Sequence, residues 1–176
     1  MPSDFTIRTA EPQDRPILVI LMELLQDVES EFHPNRPSGS QIGNGHFAYL
    51  EEIVKKQDGQ IYVAQSNERI IGFVVCFVEE LDEGDLHIVE RERKYGYISD
   101  LYVLATTRER GVGAALMKAA ENWFINLKLE VVRVGLLYSN ERAAMFYRKA
   151  GYQPYEIVYE KHLLKESFLS EEIDRT

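Results

Sequence analysis

The chain has 176 residues, which fits one domain, and 45% hydrophobic with 28% charged residues describes an ordinary globular composition. Twenty Lys and Arg against 29 Asp and Glu leave a net charge of −9, which argues against a nucleic-acid binder that works by phosphate attraction and mildly favours cationic partners. One cysteine, Cys76, excludes an intrachain disulfide, no zinc-type Cys/His spacing occurs, and no run of about 20 apolar residues suggests a membrane span. Met1-Pro2-Ser3-Asp4 does not read as a signal peptide, so the expected compartment is the cytoplasm, with no membrane and no nucleic acid among the partners.

Phe5–Thr9 alternates apolar and polar residues and predicts a half-buried strand. Glu11-Pro12-Gln13-Asp14 opens a helix whose stripe is Ile17, Ile20, Leu21, Leu24, Leu25 and Val28. Residues 32–45, broken by Pro34, Pro37 and Gly39, predict a polar loop suited to a substrate lip. A short helix carrying Tyr49, Leu50, Ile53 and Val54 follows, then strands Gln60–Ala64 and Ile70–Val78 joined at the hairpin signal Ser66-Asn67-Glu68. Cys76 lies in the apolar run and reads as a small buried hydrophobe. Residues 79–94 hold seven acids, read either as a solvated hairpin extension or as a surface that steers amines.

Tyr95–Val103 predicts another strand, Val112–Leu127 a helix, Val131–Tyr138 a strand, and Asn140 the cap of a helix ending at Gly151. Tyr155–Lys161 predicts a last strand. The tail 162–176 reads either as a docked helix or as a frayed end. The order β-α-α-β-β-β-α-β-α-β implies a mixed sheet and an α/β or α+β class.

Chemistry concentrates at Arg108-Glu109-Arg110-Gly111-Val112-Gly113-Ala114, between a strand and a helix. A helix start leaves several N–H groups unpaired, and glycines without a β-carbon let a pyrophosphate approach them. The arginines add charge and bidentate donors. The loop lacks the Lys-Ser/Thr of a Walker motif and the third glycine of a dinucleotide fingerprint. Two glycines alone are equally consistent with a tight turn.

Three segments in order carry a resemblance: Ile7–Asp14, the Arg-x-x-Gly-x-Gly-Ala loop, and Asn140-x-x-Ala143-x-x-Phe146-Tyr147 with Gly151-Tyr152, extending to Pro154–Tyr159. Over most of residues 5–161 the chain resembles the GNAT superfamily of acyl-CoA-dependent N-acetyltransferases. The resemblance implies one GNAT-like domain over 1–176, with core 5–161. It implies a mixed, mostly antiparallel central sheet flanked by helices and splayed between strands 4 and 5, where the pantetheine arm of acetyl-CoA lies. By the same resemblance, the backbone of Leu101, Tyr102 and Val103 would bond pantetheine. The amides from Arg108 through Glu109, Arg110, Gly111, Val112 and Gly113 to Ala114 would hold the pyrophosphate, Asn140 would reach the pantetheine arm, and Tyr147 would sit beside the thioester sulfur. Glu109 departs from the family, which often has glycine there; its carboxylate is expected to point outward, toward Arg110.

The implied reaction is direct attack of a primary amine, of a small molecule or a peptide, on the acetyl carbonyl. A carboxylate takes the amine proton, a backbone N–H near Val103 stabilises the carbonyl oxygen, and Tyr147 serves as the acid. Asp100 is the candidate base, with Glu79 and Glu80 as alternatives. Its neighbour Ser99 stands where some relatives have a second acid. His33 and His46, flanking the 32–45 loop, are second-tier candidates. No metal is implied, and GNAT-like proteins commonly form homodimers. The competing reading is a non-catalytic module of the same fold that binds acyl-CoA as a signal, for which the incomplete acid pair is the best support.

Overall fold

The structure is a computed structural model and describes residues 4–163. Five strands form one sheet in the order β1 (Thr6–Thr9), β2 (Gly59–Ser66), β3 (Arg69–Glu80), β4 (Lys94–Val103), β5 (Val132–Val134). The first four pair antiparallel, and β5 runs parallel to β4. Helices α1 (Arg15–Ser30) and α2 (Gly39–Lys56) cover one face; α3 (Val112–Asn126) covers the other, and Phe146 and Tyr147 of α4 (Glu141–Lys149) pack against the same core. The mixed, mostly antiparallel sheet flanked by helices is the architecture the sequence implied.

Burial explains the layers. Leu18, Leu21, Met22, Phe47 and Leu50 meet Val63, Phe73, Val75, Phe77 and Tyr102 on the first face. Val112, Leu116, Met117, Ala120 and Phe124 meet Val74, Cys76 and Ile98 on the second. β3 lies between both layers, which is why Ile70–Val78 reads as an uninterrupted apolar run. Cys76 is fully buried there; burial pushes its thiol up to about 12, so it packs as a small hydrophobe. The β2–β3 hairpin closes through Asn67 and Glu68, both at positive φ (46° and 64°), the geometry whose twist matches paired strands. Among the described residues no helix is long and apolar enough to cross a membrane.

Four local expectations are corrected. The 32–45 loop is shorter, because α2 starts at Gly39 behind the Ser38–Gln41 capping box. Gly39 and Gly43 serve close helix packing: a β-carbon at Gly39 would stand 1.9 Å from the Glu23 carbonyl oxygen, and one at Gly43 would stand 2.3 Å from Glu23 Cγ. The buried face of α1 is Leu18, Leu21 and Met22, whereas Ile20 and Leu24 are exposed. This helix is apolar on several sides, so spacing alone does not select the face that meets the sheet. The strand expected over Val131–Tyr138 shrinks to Val132–Val134, and Tyr138 is 93% exposed. No strand forms over Tyr155–Lys161; Val158 and Tyr159 are exposed, and alternation makes a strand only where a partner edge supplies the ladder. The tail helix considered for 162–176 lies, from residue 164 onward, outside the described residues.

Candidate active site

The site is built around β4. Its parallel pairing with β5 covers Gly96–Val132, Tyr97–Arg133 and Ile98–Val134, and then ends. From Asp100 to Val103, β4 pairs among the described residues with β3 alone, so its other edge has no strand partner there. Leu104 donates its N–H to Ile71 on β3 at 2.9 Å. Strand groups alternate, so the N–H and C=O of Leu101 and Val103 point to the open edge, whereas those of Tyr102 point to β3. Of the three residues expected to bond pantetheine, Leu101 and Val103 turn backbone groups to the open edge, and Tyr102 turns its own to β3 instead. The Val103 carbonyl already accepts from Arg108 Nε at 2.9 Å, and the Arg108 guanidinium lies 5.6 Å over the Tyr102 ring. Arg108 therefore braces the strand end with its side chain.

A bulge decides where Asp100 points. Val75 pairs with Asp100 and Cys76 with Ile98, leaving Ser99 as the extra residue. The inserted residue breaks alternation, so Ile98 faces α3 while Asp100 and Tyr102 face α1 and α2. Asp100 is only 7% exposed; one oxygen accepts from the Ser99 hydroxyl at 2.5 Å and the other lies 3.5 Å from His46 Nε2 on α2. Arg36 contacts Glu29, in the last turn of α1, at 3.9 Å. Glu29 follows Leu18, Met22 and Leu25 at helical spacing on the face turned inward. Burial raises the Glu29 carboxyl above its ordinary value, Arg36 opposes, and the Asp100 charge adds to the rise.

The open edge is flanked by the glycine turn. Gly111 caps α3 at φ +83°, and a β-carbon there would meet no described residue within 4 Å. Ala115 makes the first backbone bond of the helix, to Gly111, and no acceptor among the described residues takes the N–H groups of Val112, Gly113 and Ala114. Gly113 has a second role: a β-carbon there would press on the Phe146 ring at 3.3 Å, so glycine also lets α4 approach α3. Glu109 adopts φ +65°, a left-handed conformation that glycine takes without strain, and its side chain is exposed. It forms no ion pair with Arg110 among the described residues.

Asn140 caps α4, its side-chain oxygen accepting from the Ala143 N–H at 3.0 Å. Tyr147 packs edge-on between Phe146 and Tyr152, with centroids at 5.3 and 5.9 Å. Burial pushes its phenol up to about 12, with the charges of Asp100 and Glu29 adding. Tyr147 thus shares one electrostatic neighbourhood with Asp100 although 47 residues of chain separate them. The alternative bases stand apart: Glu79 accepts from Tyr95 at 2.5 Å and Glu80 pairs with Lys94 at 3.5 Å, at the far end of the β3–β4 ladder. His33 meets Glu160, and His87 meets Asp85. Of the two histidines flanking the loop, only His46 faces Asp100. Sequence reasoning missed Glu29; its signal was the position seven residues after Met22.

The site thus combines an open-edged mixed sheet, a glycine-capped helix start, a half-buried phenol and a buried carboxylate. The acetyltransferase (GNAT) family profile matches residues 21–152, and the chain belongs to that family. An uncharacterized N-acetyltransferase of Archaeoglobus fulgidus is 30% identical over 99 residues, which cover 56% of this chain and 63% of that protein. The chain therefore spans less than two thirds of that relative's length. A mutant of the BH1408 protein from Bacillus halodurans shares the fold with TM-score 0.77 at 21% identity, over 90% of this chain and 99% of that one. An aminoglycoside N-acetyltransferase, AAC(6')-Iy, solved in complex with CoA, aligns with TM-score 0.65 at 16% identity over 91% and 95% of the two chains. These structural likenesses concern the fold.

Proposed function

We propose that this domain transfers the acetyl group of acetyl-CoA to a primary amine by direct attack. The observation that carries the reading is the end of β4–β5 pairing at Ile98 and Val134, which leaves the Leu101 backbone groups and the Val103 N–H without a strand partner among the described residues, beside the uncapped N–H groups of Val112, Gly113 and Ala114. A carrier with amides along one arm and a pyrophosphate at its end matches that order of donors and acceptors. The space over Gly111 supports this reading, because no described residue comes within 4 Å of where a β-carbon would stand. The Asn140 amide N–H group, left over after capping, is a further donor for the arm.

Each step uses a group of this chain. An ammonium with a pKa near 10 must lose a proton before it attacks, and Asp100 supplies the negative charge that draws the proton away. The Val103 N–H at the open edge donates to the carbonyl oxygen as charge develops on it. Tyr147, with its phenol at about 12, keeps its proton through the neutral range and donates to the sulfur as the C–S bond breaks. The net charge of −9 favours cationic acceptors such as polyamine-like, aminoglycoside-like or lysine-like amines. Support for this choice also comes from the aminoglycoside acetyltransferase of like fold.

Two measurements test the reading. Calorimetry with CoA should detect binding, and mixing acetyl-CoA with an amine panel should release free thiol. Tight CoA binding without thiol release across the panel would instead favour the non-catalytic acyl-CoA module.

A further inference from the structure

Asp100 carries the charge this site needs, but it is poorly placed to meet an amine. It is 7% exposed, with one oxygen held by Ser99 and the other facing His46. His46 keeps 31% of its side chain exposed. It also stacks on Tyr49, 61% exposed, at a ring separation of 6.3 Å. Its Nε2 points at the carboxylate, so Nε2 carries the proton in the neutral ring and Nδ1 keeps the lone pair. No described residue donates to that Nδ1.

We propose that His46 is the group that takes the proton from the acceptor amine, with Asp100 as the positioning carboxylate that fixes its tautomer and balances its charge. This deepens the amine-acetylation reading and rests on it. The ammonium N–H bond breaks, a bond from Nδ1 to that proton forms, and the electron pair stays on the amine nitrogen. That nitrogen attacks the acetyl carbon; the C–N bond forms, the C–S bond breaks, and its electron pair goes to sulfur. Tyr147 gives its proton to the thiolate and is restored by the second amine proton, and the first leaves to solvent from the imidazolium.

The groups facing the imidazole set its titration. Asp100 on β4 raises its pKa above the ordinary value near 6.5, burial opposes, Glu29 on α1 adds to the rise, and Arg36 between α1 and α2 subtracts. Burial raises the phenols of Tyr147 on α4 and Tyr97 on β4, and the Asp100 charge adds to both rises. Only the neutral ring can accept a proton, so turnover should fall as pH drops through the raised value. Removing the negative charge of Asp100 lowers the His46 pKa and should carry this acid limb to lower pH.

The test records kcat/KM against pH with acetyl-CoA and whichever of spermidine, lysine methyl ester or kanamycin releases thiol, alongside an NMR titration of the His46 ring. His46→Gln should slow kcat by roughly 100-fold or more with CoA binding retained, and should abolish the acid limb. Asp100→Asn should move both the limb and the NMR titration downward, and Glu29→Gln should do the same to a smaller extent. Glu29→Gln carries the test alone if Asp100→Asn does not fold. A limb that stays in place while the NMR titration moves, or His46→Gln at the parent's rate, overturns the His46 role and leaves amine acetylation standing. CoA binding without thiol release by the parent overturns both.

Discussion

The two ends of β4 have opposite tasks. At the start, Gly96–Ile98 is paired on both edges, and the Phe124 ring packs so tightly over Gly96 that an added β-carbon would lie 2.6 Å from it. At the end, Ser99–Val103 keeps one partner, carries a bulge, and has the only buried carboxylate of the strand. The closed end holds the sheet to α3. The open end exposes backbone groups that a continued β5 would have consumed. A strand satisfied on one edge only is a place where an extended ligand can complete the ladder.

Substitutions at each end sharpen this contrast. The largest expected effect is at the open end: Tyr147→Phe should retain CoA binding by calorimetry and lose about 10²–10⁴-fold in turnover, as loss of a positioned proton donor does. Turnover at the parent's rate would remove Tyr147 from the reaction. The closed end should answer in stability. Gly96→Val drives a side chain into Phe124 and should cost about 3 kcal/mol in urea unfolding. At the glycine turn, Gly111→Val meets open space, so its cost is confined to the left-handed backbone, about 1–2 kcal/mol in the same experiment, together with weaker CoA binding.

The smallest effect lies away from both ends. Arg8 forms a two-pronged pair with Asp14, at 2.6 and 2.9 Å, at the entry to α1. The Arg8 hydrogen bond holds the Asp14 carboxyl below its ordinary value, against the opposing effect of burial. Its stabilising contribution is therefore full above the ordinary carboxylate range and disappears as pH falls through the lowered value. Arg8 is partly exposed, so Asp14→Asn should cost only about 1 kcal/mol at neutral pH. In urea titrations the gap from the parent should close in acid.

Much of the site was legible because its devices are local. A helix start needs Gly111 within one turn of it, and Asn140 caps α4 through its neighbour Ala143, so both roles are visible in a few consecutive residues. The bulge was not legible: nothing in Ile98-Ser99-Asp100 announces that Ser99 is left unpaired, since that depends on the register with β3. Glu29 escaped for the same kind of reason. Its place in the site follows from which side of α1, apolar on more than one face, meets the sheet. Gly39 and Gly43 read as loop residues until the approach of α1 showed them to be contact points between helices.

The amino-acid order by itself determined the succession of strands and helices from β1 to α4, the glycine turn before α3, the capping of α4 and the membership these motifs carry. Tertiary structure alone decided that β5 stops after Val134, that Asp100 turns toward α1 and α2, and that His46 stands against it. The physical reason is range. Propensity, capping and turn geometry act within a few residues, whereas register, burial and the field at a carboxylate are set by groups tens of residues away that meet only when the sheet has formed.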